Sequence, residues 1–256
     1  MGKIIAFANQ KGGVGKTTTA VNLSASLAYR TRGRVLLVDS DPQGNASSGL
    51  GINKREVKHS VYDVVIGNCS AKEAVIRTKY KNLDIIPSSI DLAAAEIELV
   101  DMENRALRLK NALATIQQDY DYICIDCPPS LGLLTLNALA ACTSILVPIQ
   151  CEFYALEGLS QLIGTIRQVK RLYNPSIEIE GIVLTMFDGR LNLTQQVGGE
   201  VKKFFSKELF ATTIPRAVRL SEAPSHGKPI QYYDPKNKGG VAYDNLSLEF
   251  IKRNGG

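Results

Sequence analysis

The chain lacks any apolar run close to the roughly twenty residues that a membrane-spanning helix requires. It also shows no charged and then apolar leader, because its first apolar run is short and leads straight into a glycine-rich segment. Its five cysteines are few, odd in number and scattered over 256 residues, which does not suggest a disulfide framework. We therefore expect a cytoplasmic protein.

Two of the cysteines, Cys124 and Cys127, have the spacing of a redox-active pair. They lie on a predicted strand and at its end, and side chains three positions apart on a strand point to opposite faces of the sheet. We therefore predict buried, unpaired thiols rather than a redox centre.

The most informative segment is the glycine-rich stretch at residues 9–18, NQKGGVGKTT. It follows the apolar run Ile4–Ala8 and precedes an amphipathic stretch that begins at Thr17. Strand, glycine loop and helix together bind phosphates through successive backbone N–H groups at a helix N-terminus. Lys16 can reach the β- and γ-phosphates, and the Thr17 hydroxyl can bind Mg²⁺. ATP and Mg²⁺ are therefore the expected ligands.

The loop departs from the usual pattern at its beginning. Gln10 stands where the first glycine is expected, and a second lysine, Lys11, follows directly. The loop residues predicted to contact the nucleotide are Lys11, Gly12, Gly13, Val14, Gly15, Lys16, Thr17 and Thr18.

Two further apolar strands end in aspartates. The run Val35–Asp39 is followed closely by Asp41, and the run Tyr122–Asp126 ends in a carboxylate in the same way. Because ligands of parallel sheets bind beyond the C-terminal ends of the strands, we expect the three carboxylates beside the phosphate loop. One of them can hold a water ligand of Mg²⁺, while another orients the attacking water.

Apolar runs alternate with helical patterns along the whole chain. The runs are continuous, which is typical of parallel strands covered on both faces. Residues 156–172 repeat apolar side chains at helical spacing, and residues 91–117 predict two helices or one bent helix. We predict one α/β domain over residues 1–256, P-loop NTPase-like, with a mostly parallel twisted sheet and helices on both faces. The predicted strands are Lys3–Ala8, Arg34–Asp39, Leu83–Pro87, Tyr122–Asp126, Ser144–Pro148, Ile179–Thr185 and one near Leu209–Ile214.

Positive charge is concentrated near the C-terminus. The chain holds 30 Lys and Arg and 25 Asp and Glu; residues 1–200 carry 20 of each sign, which leaves 10 basic and 5 acidic residues in 201–256. Such an excess attracts nucleic-acid phosphates without regard to sequence, although an ordinary solvated face is the alternative explanation.

The sequence closely resembles the ParA/Soj branch of the deviant Walker ATPases, the MinD/ParA superfamily members that partition chromosomes and plasmids. The resemblance covers essentially the whole chain. The chain lacks the N-terminal helix-turn-helix extension of some plasmid partition ATPases, so we expect no separate N-terminal DNA-binding domain. The segments that carry the resemblance are residues 11–18, 38–45, 125–132, 152–158 and 215–229.

The resemblance implies a catalytic role for each residue of the site. Lys11 corresponds to the signature lysine that reaches the phosphates of the other subunit in a nucleotide-sandwich homodimer, and Gly12 corresponds to a position that permits close subunit approach. Asp41 corresponds to the residue that orients the hydrolytic water. Metal binding is implied for Thr17, Asp39 and Asp126, and catalysis for Lys11, Lys16, Asp41 and Asp126.

The resemblance also implies ligand and partner contacts nearer the C-terminus. Pro215 corresponds to a segment beside the adenine, and Asn237 is expected near it. Arg190, Arg216 and Arg219 correspond to arginines that contact DNA without sequence preference, and Arg216 alternatively serves the nucleotide segment. The resemblance further implies that a ParB/Spo0J-type protein stimulates hydrolysis through its basic N-terminal segment. It also implies that the present protein is associated with the nucleoid.

Other members of the superfamily supply the rival functions. A MinD-type division-site regulator would bind a membrane through its C-terminal helix, but Leu246, Phe250 and Ile251 form only a small apolar face, so we predict packing on the domain and no stable membrane anchor. The cysteines do not match the cluster ligands of iron-protein reductases. No sequence feature indicates the acceptor pocket of a biosynthetic enzyme of the dethiobiotin-synthetase kind.

Overall fold

A seven-stranded sheet forms the centre of the computed structural model, which describes residues 2–255. The strand order is β3-β4-β2-β5-β1-β6-β7, and all neighbouring pairs run parallel except the short edge pair of β3 with β4. The strands are β1 (Lys3–Phe7), β2 (Val35–Asp39), β3 (Ile76–Arg77), β4 (Leu83–Ile86), β5 (Tyr122–Asp126), β6 (Ser144–Gln150) and β7 (Glu178–Thr185).

Helices cover both faces of this sheet, so its strands are buried on both sides and their sequences are continuously apolar. One face carries helices α3 (Val61–Ile66), α4 (Ala71–Ala74), α5 (Leu92–Glu98), α6 (Arg108–Ala114), α7 (Leu133–Ala141), α8 (Ala155–Leu172) and α9 (Asn192–Phe204). The other carries α1 (Lys16–Thr31), α2 (Asn45–Gly49), α10 (Val218–Glu222), α11 (Ile230–Tyr233) and α12 (Lys238–Arg253). Short 3₁₀ turns occupy Lys54–Glu56, Leu99–Asp101, Gln117–Asp119 and Ala223–His226.

The order of the central strands determines where the functional residues meet. Strand β1 lies between β5 and β6, and β5 lies between β1 and β2. In this register Phe7 and Asp39 are both partners of Asp126. The loop that leaves β1 therefore begins beside two carboxylate-bearing strand ends, at the point where the connections diverge to opposite sides, which is where ligands of such sheets bind.

The predicted α/β fold with a mostly parallel sheet is confirmed, and six predicted strands lie within two residues of their observed bounds. The helix at 156–172 and two separate helices within 91–117 are also present. The prediction of a strand near Leu209–Ile214 is wrong, because only isolated bridges pair this segment with its neighbours. The Glu249 carboxylate accepts the N–H groups of Ala211 and Thr212, at 2.8 Å each. These two N–H groups therefore do not form the strand-to-strand hydrogen bonds of a sheet. The short edge strand β3 was not predicted.

The cysteines behave as the strand geometry predicts. Cys124 packs into the core on one face of the sheet and Cys127 into the core on the other. Within residues 2–255 the structure contains no disulfide, and burial raises the pKa of the Cys124 thiol to about 12. These thiols are structural side chains.

The C-terminal helix α12 is part of the core. Leu246 and Phe250 are fully buried against α1 and the sheet, and the Phe250 ring meets Tyr122 edge-on at 5.8 Å between centroids. The apolar residues that a membrane anchor would use therefore already have partners within the chain. Over the described residues 2–255, no helix has both the length and the apolar character required to cross a bilayer.

Replacing Phe250 with alanine is expected to destabilise the protein by about 3–5 kcal/mol, because it removes a fully buried ring and leaves a cavity. Urea unfolding followed by circular dichroism measures this loss. Leu248 lies on the same helix and is 45% exposed, so Leu248→Ala is the matched control and should change the free energy of unfolding by less than about 0.5 kcal/mol. Equal effects of the two substitutions would contradict the packing of α12 described above.

Candidate functional site

The loop between β1 and α1 leads to a helix start whose backbone donors no side chain caps. Gly13 and Gly15 have φ angles of 74° and 84°, a left-handed conformation that favours glycine. Gly15 is also the N-cap of α1, where no side chain accepts from the first N–H groups and the first turn contains no acidic residue. These donors are unsatisfied within the helix, and the helix dipole adds positive potential there, so the loop is built to hold an anion.

Two side chains hold this loop on the sheet. Asn9 donates from Nδ2 to the Pro148 carbonyl at 2.8 Å and accepts the Lys11 N–H at 2.9 Å. Thr185, at the end of β7, donates to the Val14 carbonyl at 2.8 Å. The sequence did not single out either residue, although a buried asparagine directly after an apolar strand is a typical turn-forming signal.

Lys16 lies inside the loop and is almost fully buried. Its Nζ donates to the Lys11 carbonyl at 3.0 Å, which holds the ammonium across the mouth of the loop. Burial lowers the pKa of Lys16, while the nearby charges of Asp126 and Asp41 act in the opposite direction. This position lets the ammonium neutralise phosphate charge at the loop.

Lys11 points elsewhere. Its Nζ forms an ion pair with Glu152, which follows β6, and both side chains are more than a third exposed. The neighbouring Gly12 is exposed, does not have a left-handed φ, and would place a Cβ against nothing nearer than Pro129 at 4.0 Å. The contacts of the chain itself therefore do not require glycine at position 12.

Asp39 and Asp126 lie side by side and are fully buried at the ends of β2 and β5. Asp39 accepts the N–H and hydroxyl of Ser47 at 2.7 and 2.6 Å, yet burial raises the pKa of Asp39 to about 6. Burial, and secondly repulsion from Asp39, raises the pKa of Asp126 well above the ordinary value. The nearby Thr17 hydroxyl acts in the opposite direction and lowers the pKa of Asp126. It does not form a hydrogen bond with the carboxylate, and both Asp126 oxygens are without a hydrogen-bond partner within residues 2–255.

These groups fit Mg²⁺ bound together with a nucleotide. Carboxylate and hydroxyl oxygens are ligands that Mg²⁺ prefers, and the two unpartnered oxygens of Asp126 require a cation or donor that the described chain does not supply. Over residues 2–255, no three or more His, Cys, Asp or Glu side chains are grouped to hold a metal by themselves. The ion would thus depend on phosphates and waters for its remaining ligands, as Mg²⁺ commonly does.

Asp41 lies beyond the end of β2 and is buried. It accepts the Gln43 N–H at 2.9 Å and its own N–H reaches Asp39 at 3.4 Å, which fixes the carboxylate in a tight turn. Asp41 also contributes to the electrostatic field at Lys16 and at Asp126. The structure thus brings together Lys16, Thr17, Asp39, Asp41 and Asp126, as the sequence predicted.

A cavity of about 220 Å³ adjoins the loop on the side of α10 and α12. Its lining includes Thr18, Pro215 and Arg216, together with Met186, whose φ of 48° is rare for a residue with a side chain. The position suits a nucleoside attached to phosphates held by the loop. Asn237 is not in the lining; it caps α12 by accepting the Gly239 N–H at 3.0 Å. A wider cavity of about 800 Å³ lies at the opposite end of the sheet, among charged residues away from the loop.

The three predicted DNA-contacting arginines are all exposed but differ in their partners. Arg190 pairs with Asp188 at 2.7 Å, and Arg219 pairs with Glu222 at 2.8 Å and with Asp234 at 3.6 Å. Arg216 forms no ion pair within residues 2–255. Among the three, only this arginine also lines the cavity beside the loop.

We predict that Asp126→Asn separates stability from metal binding. The amide removes a buried carboxylate with unpartnered oxygens, so the Tm of the nucleotide-free protein should be no lower than that of wild type, whereas the additional rise in Tm that Mg²⁺ gives in the presence of ATP should disappear. Thermal unfolding with ATP, with and without MgCl₂, measures both effects.

Asp84 supplies the matched control for this substitution. It is a buried carboxylate at the other end of the sheet and accepts from Tyr120 at 3.0 Å and from Arg34 at 3.1 Å. Asp84→Asn should lower the Tm of the nucleotide-free protein and leave the Mg²⁺ effect intact. A full Mg²⁺ effect in Asp126→Asn would contradict the metal role.

Comparison with known proteins agrees with this geometry. A family model described as an AAA domain matches residues 2–179. The chain is 59% identical over 249 residues to the sporulation initiation inhibitor protein Soj of Bacillus subtilis, covering 97% of this chain and 98% of the relative. It is 49% identical over 255 residues to the chromosome-partitioning ATPase Soj of Treponema pallidum, covering 100% and 99%.

A solved structure with a bound ATP analogue and magnesium is also similar. It is named cobyrinic acid a,c-diamide synthase from Mycobacterium smegmatis, with 36% identity, a TM-score of 0.88, and coverage of 100% of this chain and 96% of that chain. The identity to the two Soj proteins is higher and extends over nearly the whole of each chain. The chain therefore belongs to the ParA/Soj family of chromosome-partitioning ATPases.

Proposed function

We propose that this protein is an ATP-dependent dimerising ATPase that binds DNA without sequence preference and drives chromosome or plasmid segregation. A ParB/Spo0J-type partner stimulates its hydrolysis, and the ATP-bound dimer is associated with the nucleoid. In this proposal residues 1–256 act as one ATPase domain. The higher identity to partition proteins favours this function over the amide synthesis in the name of the solved relative.

The observation that carries the proposal is the placement of Lys11 beside Gly12. Lys16 already occupies the mouth of the loop, whereas the Lys11 ammonium lies outside it on Glu152, at a partly exposed surface. Gly12 keeps this surface clear where no contact of the chain requires glycine. Both features support the approach of a second subunit, in which Lys11 exchanges Glu152 for the phosphates of the partner's nucleotide.

Within one subunit, each group of the site has a separate task. The loop N–H groups and Lys16 bind the phosphates, and Thr17, Asp126 and Asp39 hold Mg²⁺ directly or through its waters. When bound, the ion neutralises charge on the β- and γ-phosphate oxygens. Pro215 and Arg216 lie where the nucleoside would fit.

Asp41 orients the attacking water in this proposal. Its carboxylate is held at the end of β2 by the turn that follows, beside the metal residues and close to Lys16. A fixed acceptor at this point can align a water with the γ-phosphate, and phosphoryl transfer depends mainly on such positioning. The second lysine, Lys11, adds positive charge in the transition state only after dimerisation, so hydrolysis is tied to the paired state.

DNA binding is assigned to the basic C-terminal segment and its surroundings. Arg216, Lys228, Lys236 and Lys238 are exposed and form no ion pair within residues 2–255, and they add to Arg190 and Arg219. The pairs of Arg190 and Arg219 with carboxylates are on the surface, where such pairs contribute little, so phosphate can replace the carboxylate at small cost. Two such surfaces in a dimer bind DNA more strongly than one.

Lys11→Ala is expected to abolish dimerisation with ATP and Mg²⁺ while nucleotide binding persists, because the loop N–H groups and Lys16 remain. Size-exclusion chromatography with light scattering measures the mass, and a fluorescent ATP analogue measures binding. Glu152→Gln is the control: it releases Lys11 from its carboxylate and should leave a dimer. A dimer of Lys11→Ala with ATP would rule out the role proposed for this lysine.

Arg219→Ala is expected to weaken DNA binding and to reduce the dependence of log K on log salt by about one unit of slope per lost phosphate contact, with dimerisation unchanged. Fluorescence anisotropy with two DNA duplexes of unrelated sequence, over a range of salt concentrations, measures this. Arg171, an exposed arginine in the last turn of α8, is the control, and Arg171→Ala should bind as wild type does. Unchanged affinity in Arg219→Ala would move the DNA surface to other residues.

A further inference from the structure

An apolar stripe lies on the solvent side of α5 and the turns at its two ends. Its largest members are Ile90, in the turn before the helix, and Ile97, within the helix, which are 71% and 77% exposed. The other exposed residues of the stripe are Ala93, Ala94 and Val100. The opposite side of the helix packs into the core through Leu92, Ala95 and Leu99. Both sides of α5 are thus apolar, and within residues 2–255 only the inner side packs into the core.

Negative charge surrounds this stripe. Between Lys81 and Arg105 the chain has six acidic residues and no basic one. Four of the six, namely Asp91, Glu98, Asp101 and Glu103, are exposed and form no ion pair within the described chain, residues 2–255. The nearest cation along the chain, Arg105, is directed to the Val100 carbonyl at 2.6 Å. We call residues 90–103 with this stripe the α5 surface.

We propose that the α5 surface is the docking site for the activating partner, and that the docked element is a basic amphipathic peptide segment. An apolar stripe with acidic borders is complementary to a helix or strand that has apolar residues on one side and Lys or Arg beside them. The same charge repels DNA. It also opposes a symmetric contact with a second copy, because two acidic surfaces would face each other. This inference rests on the proposed stimulation by a partner.

The first end of the α5 surface is connected to the carboxylates of β2. Ser88, two residues before Ile90, donates its N–H to the Ser47 hydroxyl at 3.1 Å. The Ser47 hydroxyl in turn donates to Asp39 at 2.6 Å. A peptide that moves the start of α5 therefore acts on the hydrogen bonds that hold Asp39.

The other connection leads to the loop after β5. Glu96 of α5 accepts the N–H groups of Leu133 and Leu134, at 2.8 and 3.2 Å, and so caps α7. A Cβ on Gly132 would lie 2.5 Å from the Glu96 carboxylate, which shows how closely the two elements meet. The segment around α5 thus reaches Asp39 through hydrogen bonds, and it reaches the start of α7, which residues 127–132 join to Asp126. Docking there can therefore change the rate of hydrolysis.

The test uses the cognate ParB-type protein and ATPase rates over a range of its concentration. Ile97→Asp and the double variant Asp101→Lys/Glu103→Lys should each raise the concentration for half-maximal stimulation by about tenfold or more. Their basal and DNA-stimulated rates, and their ATP-dependent mass, should equal those of wild type. The controls are Leu172→Asp, at a residue 60% exposed at the end of α8, and Glu200→Lys, at an exposed acid on α9. Both should keep normal stimulation.

A second measurement separates this surface from the proposed function. A fluorescent 18-residue amphipathic peptide of Leu and Lys is titrated against each full-length protein, and anisotropy should show about tenfold weaker binding to both α5-surface variants than to the controls. If the ParB-type protein fails to stimulate the wild-type ATPase, the proposed stimulation by a partner is refuted. Peptide binding would then test by itself whether the α5 surface docks a basic amphipathic segment. Normal stimulation of the variants, or equal peptide binding, overturns the inference. Loss of the ATP-bound dimer in Ile97→Asp would assign the stripe to a second copy of the chain and overturn it too.

Discussion

Two buried carboxylates held side by side are the constraint on which the rest of the site depends. Parallel pairing of β2 with β5 makes Asp39 and Asp126 register partners, and both are fully buried. Burial raises the pKa of each carboxylate, with repulsion from Asp41 adding at Asp39 and repulsion from Asp39 adding at Asp126. Burial lowers the pKa of Lys16, the one buried cation among the described residues. The loop beside them presents backbone donors without acceptors. A bare anion would satisfy the loop but be repelled by the carboxylates, whereas a cation alone would satisfy only the carboxylates. A nucleotide with its metal ion satisfies both.

The same arrangement is consistent with the proposed control of the reaction by a second subunit. Each subunit already contains a lysine at its loop, so phosphate binding does not require another. Lys11 is held on Glu152 by a partly exposed ion pair, and such pairs are weak because water screens them. A stronger anion brought by a facing subunit would displace Glu152 at little cost. In the proposed dimer, pairing would then depend on the phosphates of the bound nucleotide, and hydrolysis would remove charge that holds the pair.

Much of this could be predicted from the sequence, for a physical reason. Strands buried on both faces are continuously apolar, so β1, β2 and β5 could be located from the sequence. Ligands of parallel sheets bind at the C-terminal strand ends, so the glycines, lysines and aspartates at or after the ends of these strands could be assigned to the site. Contacts between segments that are distant in the sequence could not be predicted. Asn9 bonding to Pro148, Ser47 bonding to Asp39, and Glu249 removing residues 211–212 from the sheet each join positions whose pairing no local pattern records. The resemblance implies that Asn237 lies near the adenine; in the structure its side chain caps α12 and does not line the cavity beside the loop.

The distribution of charge over the fold extends this reasoning to the partners. Arg219 and the unpaired lysines 228, 236 and 238 belong to the elements on the α1 and α12 face of the sheet, while the α5 surface lies on the opposite face. In the proposed function, this separation keeps DNA away from the acidic α5 surface and keeps a basic segment away from the basic C-terminal surface, so neither ligand meets charge of its own sign. The α5 face nevertheless reaches the carboxylate-bearing strand ends, because Ser88 is linked to Asp39 through Ser47, and Glu96 caps α7 directly after the segment that follows Asp126. A basic segment docked on the α5 surface would thus act on the two carboxylates from the face opposite the proposed DNA surface, without contact between the two ligands.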